Sequence, residues 1–413
     1  MNSSDLVVIT SFPPQGIVHD KAVVGIASYA KNTLLALKKY KNDLNITVLA
    51  EKLEGNSKTY EDNGLKVERI WRRNSFSTFF LLLKKIMSLK DTKNILIEFE
   101  VAMFGDFIYL LFFPLFLLIL KLLRKKTTIV SHQVISDINS LSGHINLNDG
   151  LKTKVLNLFI HLFYKMLIAF STKVIVFDQV LKEKLEKYGN KKKIFVIPHG
   201  VEKFNFELKN LDAKEKLGFK KDDFVLLYFG YLAWYKGTDI LINYFNQIKE
   251  KANLKLIIAG GPNPNHLDKQ YYLNYIKNIK EACEQNNIVL TGFVKEEDIP
   301  LYFIASDLVV FPYRTLMSAS GPLSIAFSFQ KPIIISNSLT EMFKTQDIKT
   351  GLDAAKLNEE DLVFNSSTDF QAKITRIHKD SNLRERLEML SSIMGEQRSW
   401  EKVGQSYYET LFK

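Results

Sequence analysis

Short apolar runs recur along this chain, and each is followed by a longer stretch with helical spacing. Strands buried on both faces need such unbroken apolar runs, so the alternation predicts an α/β chain built on parallel sheets. A first series of strands is expected at Leu6–Thr10, Ile46–Leu49, Leu65–Ile70, Ile95–Phe99, Thr128–Ser131, Val174–Phe177 and Ile194–Ile197. A second is expected at Phe224–Phe229, Lys255–Ala259, Ile288–Thr291, Leu308–Phe311 and Pro332–Ile335. Residues 200–223 between them are polar and rich in turn formers. One domain therefore ends near His199 and another begins at about Gly200, as a length of 413 residues allows. Open parallel sheets bind ligands at the carboxyl ends of their strands, so the loops that follow these runs are the places to look for chemistry.

Composition narrows the class. A hydrophobic share of 46% with 24% charged residues is that of a globular protein. The single cysteine, Cys283, excludes an internal disulfide framework and fits a reducing cytosol. A formal net charge of +11 attracts phosphorylated ligands, anionic lipid or nucleic acid. No zinc-ligand spacing, RNA-binding signature or helix-turn-helix pattern is present, which places nucleic acid below lipid. The start of the chain, MNSSDLVVITSFPP, lacks a basic segment followed by a long apolar run, so no signal peptide is expected. Two segments are unusually apolar, Phe107–Lys126 and Leu156–Phe170. The first has too short an uncharged run to span a bilayer and is interrupted by Pro114; the second carries His161 and Lys165. Besides a true transmembrane span, two readings stay open for them. They are buried helices of a large sheet domain, or they dip into an anionic membrane surface with Lys121, Arg124, Lys125 and Lys126 meeting lipid phosphates.

The second series carries the most informative loops. FGYLAWYKG, Phe229 to Gly237, follows a strand and precedes an amphipathic helix. Gly230 permits close backbone approach, and Lys236 at a strand-to-helix loop can neutralise a diphosphate near a helix N-terminus. In AGGP, the glycine pair that includes Gly261 marks a further close approach. Arg314 stands just after the expected strand Leu308–Phe311, and Ser320, Gly321 and Pro322 open a helix. That opening offers free N–H groups and a hydroxyl to a phosphate, with proline suited to the first turn. Lys236, Arg314 and the Ser320 helix start converge on one diphosphate if their strands are adjacent.

These motifs, in this order, resemble the family 4 retaining glycosyltransferases of GT-B fold. IPHGV at Ile197–Val201 is similar to the usual end of their first domain. Gly230 with Lys236–Gly237, the AGGP turn, the G-F-V of Gly292–Val294, and ASDLVVFPYR…SG…KPIII follow in family order and spacing. SFPP at Ser11–Pro14 and the helix from Gly25 resemble the opening loop and helix. Glu100, Phe104–Gly105 and a strand ending near His132 resemble the subgroup's acidic strand end and strand-terminal histidine. The resemblance implies two Rossmann-like, doubly wound domains facing a cleft. Residues 1–199 would bind the acceptor and 200–395 the nucleotide sugar, with 396–413 crossing back onto the first domain.

The resemblance also implies chemistry: a hexose, mannose or glucose, moves with retained configuration from a GDP- or UDP-linked donor to a lipid-linked or surface-glycan acceptor. The work would be done in the cytoplasm at the inner face of a membrane. No metal and no cofactor beyond the donor substrate are expected, because basic side chains and helix dipoles stabilise the leaving diphosphate. Lys236 would contact that diphosphate as a catalytic group. Gly230, Gly261, Val294, Arg314, Ser320, Gly321 and Pro322 would complete the donor site, and Gly25 would let the opening loop approach it. His132 would hydrogen-bond the donor sugar or stabilise charge near its anomeric carbon, with Glu100 on the acceptor side.

The chain departs from the family pattern in two places. Tyr231 stands where many members carry arginine, and Met317 and Ile325 stand where many carry paired glutamates. Neither Met nor Ile can make a charge-assisted hydrogen bond. A branch with the PYR…SG loop also lacks that pair. The alternatives to an active transferase are a binding or scaffold subunit of a glycan-assembly complex and a GT-B sugar-nucleotide epimerase.

Overall fold

The computed structural model describes residues 4–16, 25–55, 57–89, 91–101, 103–135, 150–203, 208–249, 251–263, 267, 269–315 and 320–413. Met317, like His19 and His144, lies outside them. The strands, in chain order, are β1 Leu6–Thr10, β2 Ile46–Glu51, β3 Thr59–Asp62, β4 Leu65–Trp71, β5 Asn94–Phe99, β6 Lys126–Ser131, β7 Lys173–Val176 and β8 Ile194–Val196. They continue as β9 Phe224–Phe229, β10 Leu254–Ala259, β11 Val289–Leu290, β12 Leu308–Phe311, β13 Ile333–Ser336 and β14 Val363–Phe364.

The described chain divides into two compact units, residues 4–200 with 400–413 and residues 201–315 with 320–399. The first holds an eight-stranded sheet in the order β3-β4-β2-β1-β5-β6-β7-β8. Every neighbouring pair is parallel except β3 with β4. The second holds a six-stranded parallel sheet in the order β11-β10-β9-β12-β13-β14. In each sheet the first strand lies inside and the order reverses beside it, at β1/β5 and at β9/β12. Such a reversal opens a crevice at the strand carboxyl ends, where doubly wound sheets bind ligands. The apolar runs are buried as parallel strands require: Leu6–Ile9, Ile95–Ile97 and Val225–Leu227 are fully buried.

Two strands escape the apolar pattern. The sequence TYED of β3 is largely exposed and pairs antiparallel with β4. Asn63 and Gly64 join the two with φ of 50° and 75°, the turn geometry Asn-Gly favours in a hairpin. β14 is only two residues long.

The return to the first unit starts at Trp400 rather than near residue 396. Helix Ser381–Gln397 keeps Leu383, Leu387, Leu390 and Met394 in the second core, and Val201 N–H donates to the Arg398 carbonyl at 2.8 Å. Helix Trp400–Phe412 then packs on helix Gly25–Tyr40. A Cβ on Gly404 would lie 2.4 Å from the Ala36 carbonyl oxygen, so the two backbones touch there. The Tyr29 and Tyr407 hydroxyls meet at 2.7 Å. Gly200 belongs to the first unit, because a Cβ on it would strike the Trp400 ring at 2.4 Å.

Both apolar segments form helices with one buried and one exposed side. Pro114 interrupts the first as expected: a short helix Phe107–Leu110 ends before it, and Pro114 sits in the opening turn of helix Phe113–Leu122, where its missing N–H costs nothing. Phe113, Phe116, Leu117 and Leu120 of that helix, and Phe163, Tyr164, Leu167 and Ile168 of helix Gly150–Phe170, join the first core. The latter helix is long and apolar enough to cross a membrane by length and composition.

Candidate functional site

The carboxyl ends of β9 and β12 bring the second unit's expected residues together. After β9 the chain turns at Gly230 with φ +128°, a conformation open to glycine. It then forms a short 3₁₀ turn, Trp234–Lys236, and passes through Gly237 (φ +69°) into helix Thr238–Asn246. A Cβ on Gly237 would lie 1.9 Å from the Pro312 carbonyl oxygen, so the Lys236 turn rests directly on the chain leaving β12.

Lys236 is 8% exposed, and burial pushes its ammonium down to about 8. Its Nζ lies over Gly230: a Cβ there would be 2.8 Å from that nitrogen and 3.1 Å from Pro322 Cγ. Gly230, Lys236 and Pro322 therefore converge. Among the described residues no carboxylate forms an ion pair with Lys236. A buried ammonium without a counter-charge is costly, and an incoming anion removes that cost.

The helix opening beside it is ready for such an anion. Ser320 is the N-cap of helix Gly321–Ser328; its Oγ accepts from Leu323 N–H at 3.3 Å and shares a 2.8 Å hydrogen bond with the Tyr313 hydroxyl. Nothing would lie within 4 Å of a Cβ on Gly321. Pro322 has no N–H and Leu323 N–H is held by Ser320 Oγ, so Gly321 is the residue of this opening whose N–H can favour a phosphate oxygen.

Arg314 plays a different part from the one its position suggests. Its guanidinium forks onto Asp239, donating to Oδ1 at 2.8 Å and also contacting Oδ2, and donates to the Trp234 carbonyl at 2.6 Å. It lies 4.7 Å from the Trp234 ring centroid, and its own N–H donates to the Tyr235 carbonyl. Asp239 also accepts from the Tyr275 hydroxyl at 3.0 Å. Arg314 thus clamps both ends of the Lys236 turn to the end of β12, with its charge already met by Asp239. It braces the Lys236 turn through these contacts.

The AGGP glycines serve backbone packing. A Cβ on Gly260 would lie 1.9 Å from the Gly230 carbonyl oxygen, and one on Gly261 would lie 2.8 Å from Phe293 N. Gly261 accordingly brings the end of β10 against the loop after β11. Val294 is partly buried against the second core. A cavity of about 530 Å³ lies on this side, lined by Leu232, Gly260, Pro262, Ile288, Thr291 and Gly292. It does not include Lys236 or Ser320.

In the first unit the start of the opening loop, Ser11–Pro13, is held firmly. Arg69, 2% exposed, donates to the Phe12 and Pro13 carbonyls at 3.1 and 2.6 Å, and Ser11 Oγ donates to Glu51 at 2.9 Å. Gly25 begins the following helix. His132 follows β6, and its Nε2 lies 2.7 Å from Oε2 of Glu98 on β5. Glu98 is fully buried and pushed well above the usual carboxylate range; burial lowers His132 to about 4. Both directions point to a neutral pair, with a protonated Glu98 donating to a neutral imidazole. Tyr29 and Phe177 pack edge-on to that ring at 5.1 and 4.9 Å. Glu100 accepts from Gln133 Nε2 at 2.8 Å and does not touch His132 by hydrogen bond. Glu98, Asp239 and Tyr313 were not legible as site residues. Glu98 offers one signal, an acid inside the apolar run NILIEF.

Residues 209–389 match the family model described as glycosyl transferases group 1. An uncharacterized glycosyltransferase of Methanocaldococcus jannaschii is 28% identical over 189 residues, 42% of this chain and 45% of that one. The lipopolysaccharide 1,2-N-acetylglucosaminetransferase of Salmonella typhimurium is 23% identical over 243 residues, 58% of this chain and 61% of that one. The GDP-mannose:glycolipid 4-beta-D-mannosyltransferase of Xanthomonas campestris pv. campestris is 25% identical over 190 residues, 46% and 48%. The chain thus spans about half the length of these curated relatives. Among solved structures, sucrose-phosphate synthase from Thermosynechococcus elongatus superposes with a TM-score of 0.71 at 16% identity, covering 98% of both chains. HepE of Anabaena, in complex with UDP-glucose, superposes at 0.66 and 16% identity over 98% of both. The chain has the GT-B fold, and the group 1 glycosyltransferase match falls within its second unit.

Proposed function

We propose that this chain is a retaining hexosyltransferase that moves mannose or glucose from a GDP- or UDP-linked donor to a lipid-linked or surface-glycan acceptor. The observation that carries the reading is Lys236: a buried ammonium at the reversal point of the second sheet, over Gly230 and beside the Ser320–Pro322 helix opening. The family match across residues 209–389 supports a sugar-nucleotide donor there. The named relatives that act on lipopolysaccharide and glycolipid support the acceptor class, and the UDP-glucose complex of a fold neighbour supports the donor class.

In this reading the donor diphosphate lies across the helix opening with Lys236 against its oxygens. Charge builds on the diphosphate as the glycosidic bond breaks. Lys236 and the Gly321 N–H stabilise that charge, so no bound metal is required of the mechanism. The Arg314–Asp239 clamp keeps the lysine turn in place without reorganisation during the reaction. The nucleoside end extends along the glycines toward the cavity near Gly292. In the first unit Glu98 fixes the orientation of His132, the histidine to which this reading assigns a catalytic role. Ile325, at one of the glutamate positions, packs against the second core, so the ribose is held by other groups.

Incubation of purified protein with sugar nucleotides and a membrane extract tests the reading. Acceptor-dependent release of nucleoside diphosphate is expected, with the sugar recovered on lipid or glycan. Release from no sugar nucleotide would leave a binding subunit, and conversion of the sugar without acceptor would mark an epimerase.

A further inference from the structure

The first unit carries a second surface that the donor chemistry does not use. Helix Ser77–Ser88 packs beside helix Phe113–Leu122, which packs beside helix Gly150–Phe170. Each turns large apolar side chains outward at helical spacing: Phe80 and Met87, Leu115 and Leu122, Leu158 with Leu162. Leu122 is 73% exposed, Phe80 67% and Leu158 60%. Phe76, 64% exposed, joins the first two helices through ring contacts with Tyr109 at 4.8 Å and Phe112 at 5.9 Å. The exposed residues thus form one face across neighbouring helices. A soluble surface rarely leaves apolar side chains in so continuous a set without a partner.

The charge around this face decides the partner. The three helices hold no aspartate or glutamate. Their exposed charged residues are all cationic: Lys84, Lys121, Lys152, Lys154 and Lys165, with Arg124 just beyond. A chain that carries 45 acidic residues places none on these helices. An apolar face on helices whose own exposed charges are all positive complements the acyl boundary and headgroups of an anionic bilayer, with the exposed Asp91 and Asp106 lying just beyond the helix ends.

The helices lie on the bilayer rather than cross it. Phe163, Tyr164, Leu167 and Ile168 are at most 3% exposed in the core, and Gly150–Phe170 runs straight into β7, so one side of its carboxyl half is unavailable to lipid. The basic cluster at the end of helix Phe113–Leu122 contributes less than its sequence suggests. Lys125 spends its ammonium on the Thr92 carbonyl at 2.5 Å, and Lys121 donates to the Ala169 carbonyl at 3.0 Å.

We propose that this three-helix face docks the protein on anionic lipid bilayers, with the leucines and phenylalanines entering the acyl boundary and the lysines meeting phosphates. Co-sedimentation of the whole chain with phosphatidylcholine vesicles, with and without about one third phosphatidylglycerol, tests it. Binding is expected only to the anionic vesicles, weakening as salt rises. Leu115→Glu with Leu158→Glu should reduce it at least about tenfold, since each substitution puts a charge where apolar burial is required. Met389→Glu, at an exposed methionine of the second unit, should leave it unchanged. The nucleotide-induced thermal shift of the double variant should match wild type, which separates this face from the donor site and controls for folding. Absence of wild-type vesicle binding, or equal binding by the double variant, overturns the proposal. So does a dimer in light scattering that the double variant disperses while wild type ignores vesicles, because the face would then meet a second copy.

Discussion

The two sheets carry opposite kinds of chemistry at the carboxyl ends of their strands. At β9/β12 a buried ammonium stands without a carboxylate partner among the described residues, beside an open helix start. At β5/β6 the buried groups are matched within the protein: Glu98 with His132, Gln133 with Glu100, and Tyr29 with Tyr407. The first arrangement leaves a positive charge unmet among the described residues. In the second the ionisable groups meet one another, although Glu98 Oε1 stays buried without a hydrogen bond among the described residues. The difference teaches that the unmet buried charge lies in the second unit, whereas the ionisable groups at β5/β6 of the first meet each other.

Breaking the charged side should have the largest effect. Lys236→Ala is expected to lower kcat by about 10²–10³-fold, the usual loss on removing one group that stabilises developing charge. Steady-state release of nucleoside diphosphate measures it. An unchanged rate would shift the catalytic burden away from this lysine. Arg314→Lys sharpens the same side. It keeps the charge but loses the fork onto Asp239 and the Trp234 carbonyl, so kcat/KM should fall roughly tenfold through misplacement of the Lys236 turn. A pure charge role for Arg314 would leave Arg314→Lys nearly as active as wild type.

The protonation of Lys236 gives a signed test. Free, it titrates at about 8, below an ordinary lysine; a bound diphosphate raises that value by favouring the charged form. Binding therefore takes up a proton above pH 8, and affinity should weaken by up to about tenfold per pH unit from there until the raised value is reached. Calorimetry between pH 7 and 9.5 reads this out, and Lys236→Ala should flatten the profile.

The neutral side predicts a smaller effect that depends on shape. Glu98→Gln keeps an N–H donor toward His132 Nε2 and should cost under about 1 kcal/mol of stability, whereas Glu98→Ala leaves the imidazole nitrogen orphaned and should cost about 1–3 kcal/mol. Because burial raises Glu98, the folded state holds its proton at pH values where the unfolded chain has lost it. Wild-type stability should then decline as pH rises through the raised value, and Glu98→Gln should remove that decline. Chemical denaturation across pH reports both. Equal losses in Gln and Ala variants would mean that Glu98 is ionised.

Much of the fold was legible because buried parallel strands announce themselves as apolar runs; Leu6–Thr10, Phe224–Phe229 and Leu308–Phe311 match the observed strands residue for residue. β3 was not, because an exposed edge strand reading TYED has no apolar side to show, although Asn63–Gly64 carried a hairpin signal. Lys236 and the Ser320 helix start were readable since loop chemistry is local. Asp239 lies 75 positions from Arg314 and Glu98 lies 34 from His132. Nothing in either local sequence says that they meet; sheet order brings them together. The same applies to Gly260 and Gly261, each of which brings its backbone against that of a neighbouring loop.

The central claim is that Lys236 and its helix opening form a nucleoside-diphosphate site. A thermal-shift screen of UDP, GDP, ADP, dTDP and their common sugar conjugates, without metal and alongside Lys236→Ala, tests it most directly. Ligands that bind only the folded state must raise its midpoint. The account predicts a selective shift with one base that Lys236→Ala abolishes. A shift of equal size in Lys236→Ala, or none with any nucleotide in the wild type, would contradict it.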